Sequence, residues 1–81
     1  MLTASEERGY NQALDALLKR VERNLDTVRR RRLNAEQKST VERIQAFVRQ
    51  AVDLRAADLV TAHSLATRAD LLALDLARTA R

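Results

Sequence analysis

Apolar residues recur at three- and four-residue intervals along nearly the whole chain, in three blocks. In the first, Tyr10, Ala13, Leu14, Leu17, Leu18, Val21, Leu25 and Val28 align on one stripe at about 100° per residue. Thr3-Ala-Ser-Glu6 ahead of it has the order of a reciprocal helix cap, although Gly9 also allows a start nearer Tyr10. Asp15→Lys19 and Asp26→Arg30 are acid-first pairs four apart on the opposite surface, and Asn24 falls within the stripe. Continued past the basic run Arg29, Arg30, Arg31 and Arg32, the helix would rotate Arg32 onto the apolar side. The spacing therefore predicts an end near Arg32, with cations at the negative helix terminus. Asn34 followed by Gln37 then reads as the cap of a second helix.

That second block places Val41, Ile44, Phe47, Val48, Ala51, Val52 and Leu54 on one broad face, wide enough to meet two neighbours. Phe47, the single phenyl ring, is the expected centre of the core. The third block puts Leu59, Ala62, Leu65, Ala66, Ala69, Leu72, Ala73, Leu76 and Ala80 on one face, and Val60, Leu71 and Leu74 on a smaller second strip. The boundary between these blocks is less sharply marked. Val41 and Leu59 are eighteen residues apart, five whole turns, so the stripe runs on in phase and only Arg55 interrupts it. A bend at Arg55–Asp58, with Asp58 as cap, predicts a compact bundle. An unbroken helix from Ala35 onward predicts a seam between chains. The bend is preferred, because a helix of that length would leave much of its stripe without an intramolecular partner.

The predicted elements are helices at about 5–32, 35–54 and 58–80 in one domain, 1–81: an all-α, antiparallel three-helix bundle. Composition agrees. Proline is absent, Gly9 is the one glycine, and with one Tyr, one Phe and no Trp the bulk comes from Leu, Val and Ile with alanine at close approaches. At 81 residues a single core is near the lower limit of independent stability, which self-association would help.

Candidate chemistry is sparse. Without cysteine there is no disulfide, thiolate ligand or thiol nucleophile. His63 and Ser64 are adjacent on a helix and point about 100° apart, and Asp70 lies roughly 10 Å further along the axis. No Glu-x-x-His pattern or second histidine suggests a metal, and one glycine cannot build a phosphate loop. The expectation is no enzyme, no cofactor and no metal. No run reaches the roughly 20 apolar residues of a membrane span, and MLTASEERGY lacks the basic-then-apolar order of an export signal. A net charge of +4 permits an anionic partner without requiring one.

Two surfaces remain. Val60, Leu71 and Leu74 are candidate partner-binding residues, for a second copy or another helical protein. Arg29, Arg30, Arg31 and Arg32 are candidate anion-binding residues, for nucleic acid or an acidic surface, without the aromatic residues or helix-turn-helix spacing of a dedicated reader.

The second and third helices resemble a tetratricopeptide-type hairpin, in Ala57-Asp58-Leu59 at the turn followed by Ala62, Ala66 and Ala69. The chain holds one such unit and lacks that repeat's early Trp, Leu-Gly and Tyr. A longer stretch is similar to the C-terminal helical segment of small uncharacterised bacterial envelope proteins and lipoproteins. Its residues are Asn24-Leu25, Arg32-Leu33, Gln37, Ile44, Phe47, Gln50-Ala51, Asp58, Ala62, Leu65-Ala66, Arg68-Ala69 and Leu72. That resemblance implies an envelope location and a break before Asp58, and no catalytic residue.

Overall fold

The computed structural model describes residues 1–80, and it is an all-α three-helix bundle. Helix α1 spans Ala4–Arg29, α2 Ala35–Leu54 and α3 Leu59–Thr79. Each start follows from a local side chain. Glu6 N–H donates to Thr3 Oγ1 (3.1 Å) while Thr3 N–H donates to Glu6 Oε1 (3.0 Å), the reciprocal box the spacing predicts. The same exchange joins Asn34 and Gln37, at 2.8 and 2.9 Å. At α3 the Asp58 carboxylate accepts from Thr61 N–H (3.1 Å) and from the Thr61 hydroxyl (2.6 Å).

The bend at Arg55–Asp58 is therefore real, and α2 and α3 form an antiparallel hairpin. Leu54 O accepts from both Ala57 N–H (3.0 Å) and Asp58 N–H (2.7 Å), closing the last turn of α2 before Asp58 opens the next helix. Arg55, whose place in the stripe had left a continuous helix open, is turned to α1 instead. Its guanidinium pairs with Asp15 (2.8 Å) and donates to Asn11 Oδ1 (2.9 Å).

Helix α3 is the middle of the molecule, packed closely on both α1 and α2. Tyr10 meets His63, Arg20 meets Asp70 and Arg31 meets Ala77, in ascending order on both helices, so α1 and α3 run parallel. Ala62, Ala66, Ala69 and Ala73 are fully buried and let both neighbours approach the α3 backbone. One core cluster joins Val21, Leu25, Val28, Ile44, Ala69, Ala73, Leu76 and Ala80, and the other joins Leu14, Ala51, Ala62 and Ala66.

Several expectations need correcting. Helix α1 ends at Arg29 rather than near Arg32, because Arg31 turns inward after a tight turn in which Arg31 N–H donates to Val28 O (3.0 Å). Phe47 is not the core centre. It lies half-buried against the first cluster, and Ile44 is the fully buried residue of α2 there, because Ile44 and Ala51 share the inward line of α2 and Phe47 stands about 60° to one side of it. Val52, placed on the broad inner face of α2, is 54% exposed. Asp15 pairs across helices with Arg55 rather than with Lys19, and Asp26 approaches Arg29 at 3.6 Å rather than Arg30.

Candidate interaction surface

The three α3 strip residues stay outside the bundle. Val60 is 47%, Leu71 61% and Leu74 38% exposed, and among the described residues the other exposed large apolar side chains are Met1 and Val52. The cause is phase: they lie away from the line of Ala62, Ala66, Ala69 and Ala73, and the described residues cover them only in part. Val60 and Leu71 are three turns apart, about 16 Å along the axis, so they form a line rather than a cluster.

The structure divides the four arginines. Arg31 is half-buried, and its guanidinium donates to Ala77 O at 2.8 Å and also to Ala80 O, capping the carbonyl end of α3. Arg29 lies near Asp26 at 3.6 Å and Glu22 at 4.0 Å. Arg30 and Arg32 are exposed. A hollow of about 540 Å³ beside this turn is lined by Arg32, Leu33, Asn34, Gln37 and Thr79, but the Asn34 and Gln37 side chains already bond to one another's backbone. The run is thus brought together in sequence and separated in task.

A second cross-helix ion pair joins α1 to α3. Asp70, considered in the sequence only as a distant neighbour of His63, is 5% exposed. Both its oxygens are held by Arg20, Nε to Oδ1 at 2.8 Å and Nη2 to Oδ2 at 2.7 Å. This two-pronged bond holds the Arg20 guanidinium above its ordinary pKa, chiefly through the hydrogen bond to Asp70 and then through its charge. The signal lay in spacing. Asp70 is four residues after Ala66 and three before Ala73, a carboxylate set among buried alanines that demands a cation from the neighbouring helix.

His63 is half-buried with its ring edge-on to Tyr10, centroids 5.3 Å apart, and the half-buried Asn24 stands at the margin of the α1 stripe. Among the described residues no group of three His, Cys, Asp or Glu side chains is placed to hold a metal ion. No helix among them is long and apolar enough to cross a membrane. Compared with protein-family models, curated proteins and solved structures, the chain matches none.

Proposed function

We propose that this chain is a non-catalytic helical interaction module that docks another helical surface along the outer strip of α3. The observation that carries the reading is the exposure of Val60, Leu71 and Leu74 on a helix whose other face is completely packed. Solvated helix faces do not need leucine, and a line of apolar side chains one helix wide suits a partner helix. The alternative, anion binding through Arg29–Arg32, is narrowed to Arg30 and Arg32, since Arg31 is engaged with α3 and Arg29 sits beside two acids.

A photo-crosslinking residue placed at Leu71, and another at the exposed Ser39 on α2, tests the reading in cells that make the protein. Cross-linked product is expected from position 71, lost on adding Val60→Lys, and not from position 39. Equal yields from both positions, or none from 71, would overturn it. Salt-sensitive binding to nucleic acid or anionic vesicles that weakens in Arg30→Gln/Arg32→Gln would favour the anionic alternative.

A further inference from the structure

The outer strip of α3 is longer and more regular than its three apolar members suggest. Val60, Ser64, Thr67, Leu71, Leu74 and Arg78 follow one another at intervals of four and three, the alternation of a heptad seam. On α1, Gly9, Ala13, Ala16, Arg20, Arg23 and Thr27 repeat the same alternation. Arg20 belongs to that second row, and its bond to Asp70 sets the row alongside α3. The two rows therefore run side by side, one apolar toward its ends and one made of small residues in its amino-terminal half. A Cβ added at Gly9 would meet nothing within 4 Å, so the α1 row is open at that position.

We propose that the partner of this face is a second copy of the same chain, packed antiparallel so that Val60 of each copy meets Leu71 of the other. The proposal rests on the reading of the α3 strip as an interaction surface, and two features of the molecule single out the copy and its direction. The first is fit. Among antiparallel registers that keep heptad positions opposite one another, this one covers every apolar member of the seam. Leu74 then meets Ala57 in the turn before α3, and Ser64 meets Thr67. Shifting by one heptad step places Val60 against Arg78, or places it against Ser64 and carries Leu71 and Leu74 beyond the start of the partner's α3. In the favoured register the two-fold axis passes between Leu65 and Ala66. Leu14 packs against that part of α3, so the small residues Gly9, Ala13 and Ala16 flank the axis and admit a close approach of the two α1 helices.

The second feature is charge. The half of the bundle made of residues 1–17 and 46–68 carries five acidic side chains against four basic ones. The half made of residues 18–45 and 69–80 carries ten basic against six acidic. A parallel pair would set the two basic halves together. The antiparallel pair sets each basic half against the other copy's acidic one, and brings Arg78 toward the Asp53–Asp58 end, where Asp53 and Asp58 are exposed. The pairing is isologous and closes at two copies rather than growing into a filament. A pairing through one exposed helix strip is a weak one, so the dimer dissociates in the micromolar range or more weakly.

Because the chain has no cysteine, engineered thiols report on this geometry without background. In a glutathione redox buffer the double variant Val60→Cys/Leu71→Cys should form a covalent dimer, while Val60→Cys alone and Leu74→Cys alone should not. Residues 60 and 71 of one chain are about 16 Å apart along the helix and cannot bridge each other. Sedimentation equilibrium of the unmodified protein from micromolar to millimolar concentration should show a monomer–dimer equilibrium, shifted about tenfold or more toward monomer by Leu71→Lys. Self-linking of Val60→Cys alone would mean a parallel pair and overturn the proposal. A concentration-independent monomer would overturn self-pairing altogether. Photo-crosslinks from position 71 to a different protein would do the same while sustaining the surface itself. Loss of those crosslinks as well would remove both.

Discussion

The two faces of α3 invert the usual relation between size and burial. On the inner face Ala62, Ala66, Ala69 and Ala73 are fully buried, and a carboxylate, Asp70, is buried among them. On the outer face Leu71 is 61% exposed. Burial on α3 is decided by how near two helix axes can come. An alanine under a crossing helix gains contact with the neighbour's backbone and side chains, and a larger residue would hold the helices apart. The outer face has no such constraint from within the chain, so large apolar side chains there answer to something outside it.

The inner face is the more easily disrupted. Ala69→Leu forces a branched side chain where both neighbours approach, and should cost about 1–3 kcal/mol by urea unfolding. An unchanged midpoint would mean that the alanines are not close-packed. Next comes the ion pair. Arg20→Ala strands the Asp70 carboxylate and should lower the unfolding midpoint measurably, and Arg20→Ala/Asp70→Ala should recover part of the loss.

A smaller effect comes from acid. Glu6, Asp15 and Asp58 are each held below the usual carboxylate range, by the Thr3 backbone N–H, by the Arg55 guanidinium and by the Thr61 hydroxyl respectively. Their folded pKa values lie below the unfolded value of about 4. Their contribution is therefore full above that value and lost as pH falls through the folded one. Unfolding midpoints should decline below about pH 4, and decline less in Asp58→Asn, which keeps a cap at α3 without its charge. The least change is expected from Leu71→Lys in the monomer, within about 0.5 kcal/mol. A larger loss would show that the outer face stabilises the single chain.

How much of this could be read in advance depends on how local the deciding interaction is. The box joins Asn34 and Gln37, three residues apart, and the boundary it marks falls at the expected position. The bend after Leu54 was harder to foresee, because the apolar phase continues through it. What turns the chain is the Asp58 cap acting together with the hold of Arg55 on Asn11 and Asp15, forty or more residues back. Phe47 is the largest apolar side chain of α2, but the inward line of that helix runs through Ile44 and Ala51, so its size says little about its burial. Arg31 could not be told from its neighbours, since its task is set by carbonyls at the far end of the chain. The strip at Val60, Leu71 and Leu74 was legible as exposed because the inner face of α3 was already full. What covers it is not written in the phase of a single helix.

The parallel alignment of α1 with α3 has a kinetic consequence. The bond from Arg20 to Asp70 and that from Arg31 to Ala77 close loops of fifty and forty-six residues, whereas the α2–α3 hairpin needs only the short turn between them. Loop closure favours the hairpin first and α1 as the late arrival. Removing the Arg20–Asp70 bond should then quicken unfolding while leaving the refolding rate nearly unchanged, a φ-value near zero at a fully formed native contact. Until α1 docks, one side of the alanine face stands open. During that interval a neighbouring chain could offer its own α1 in trade.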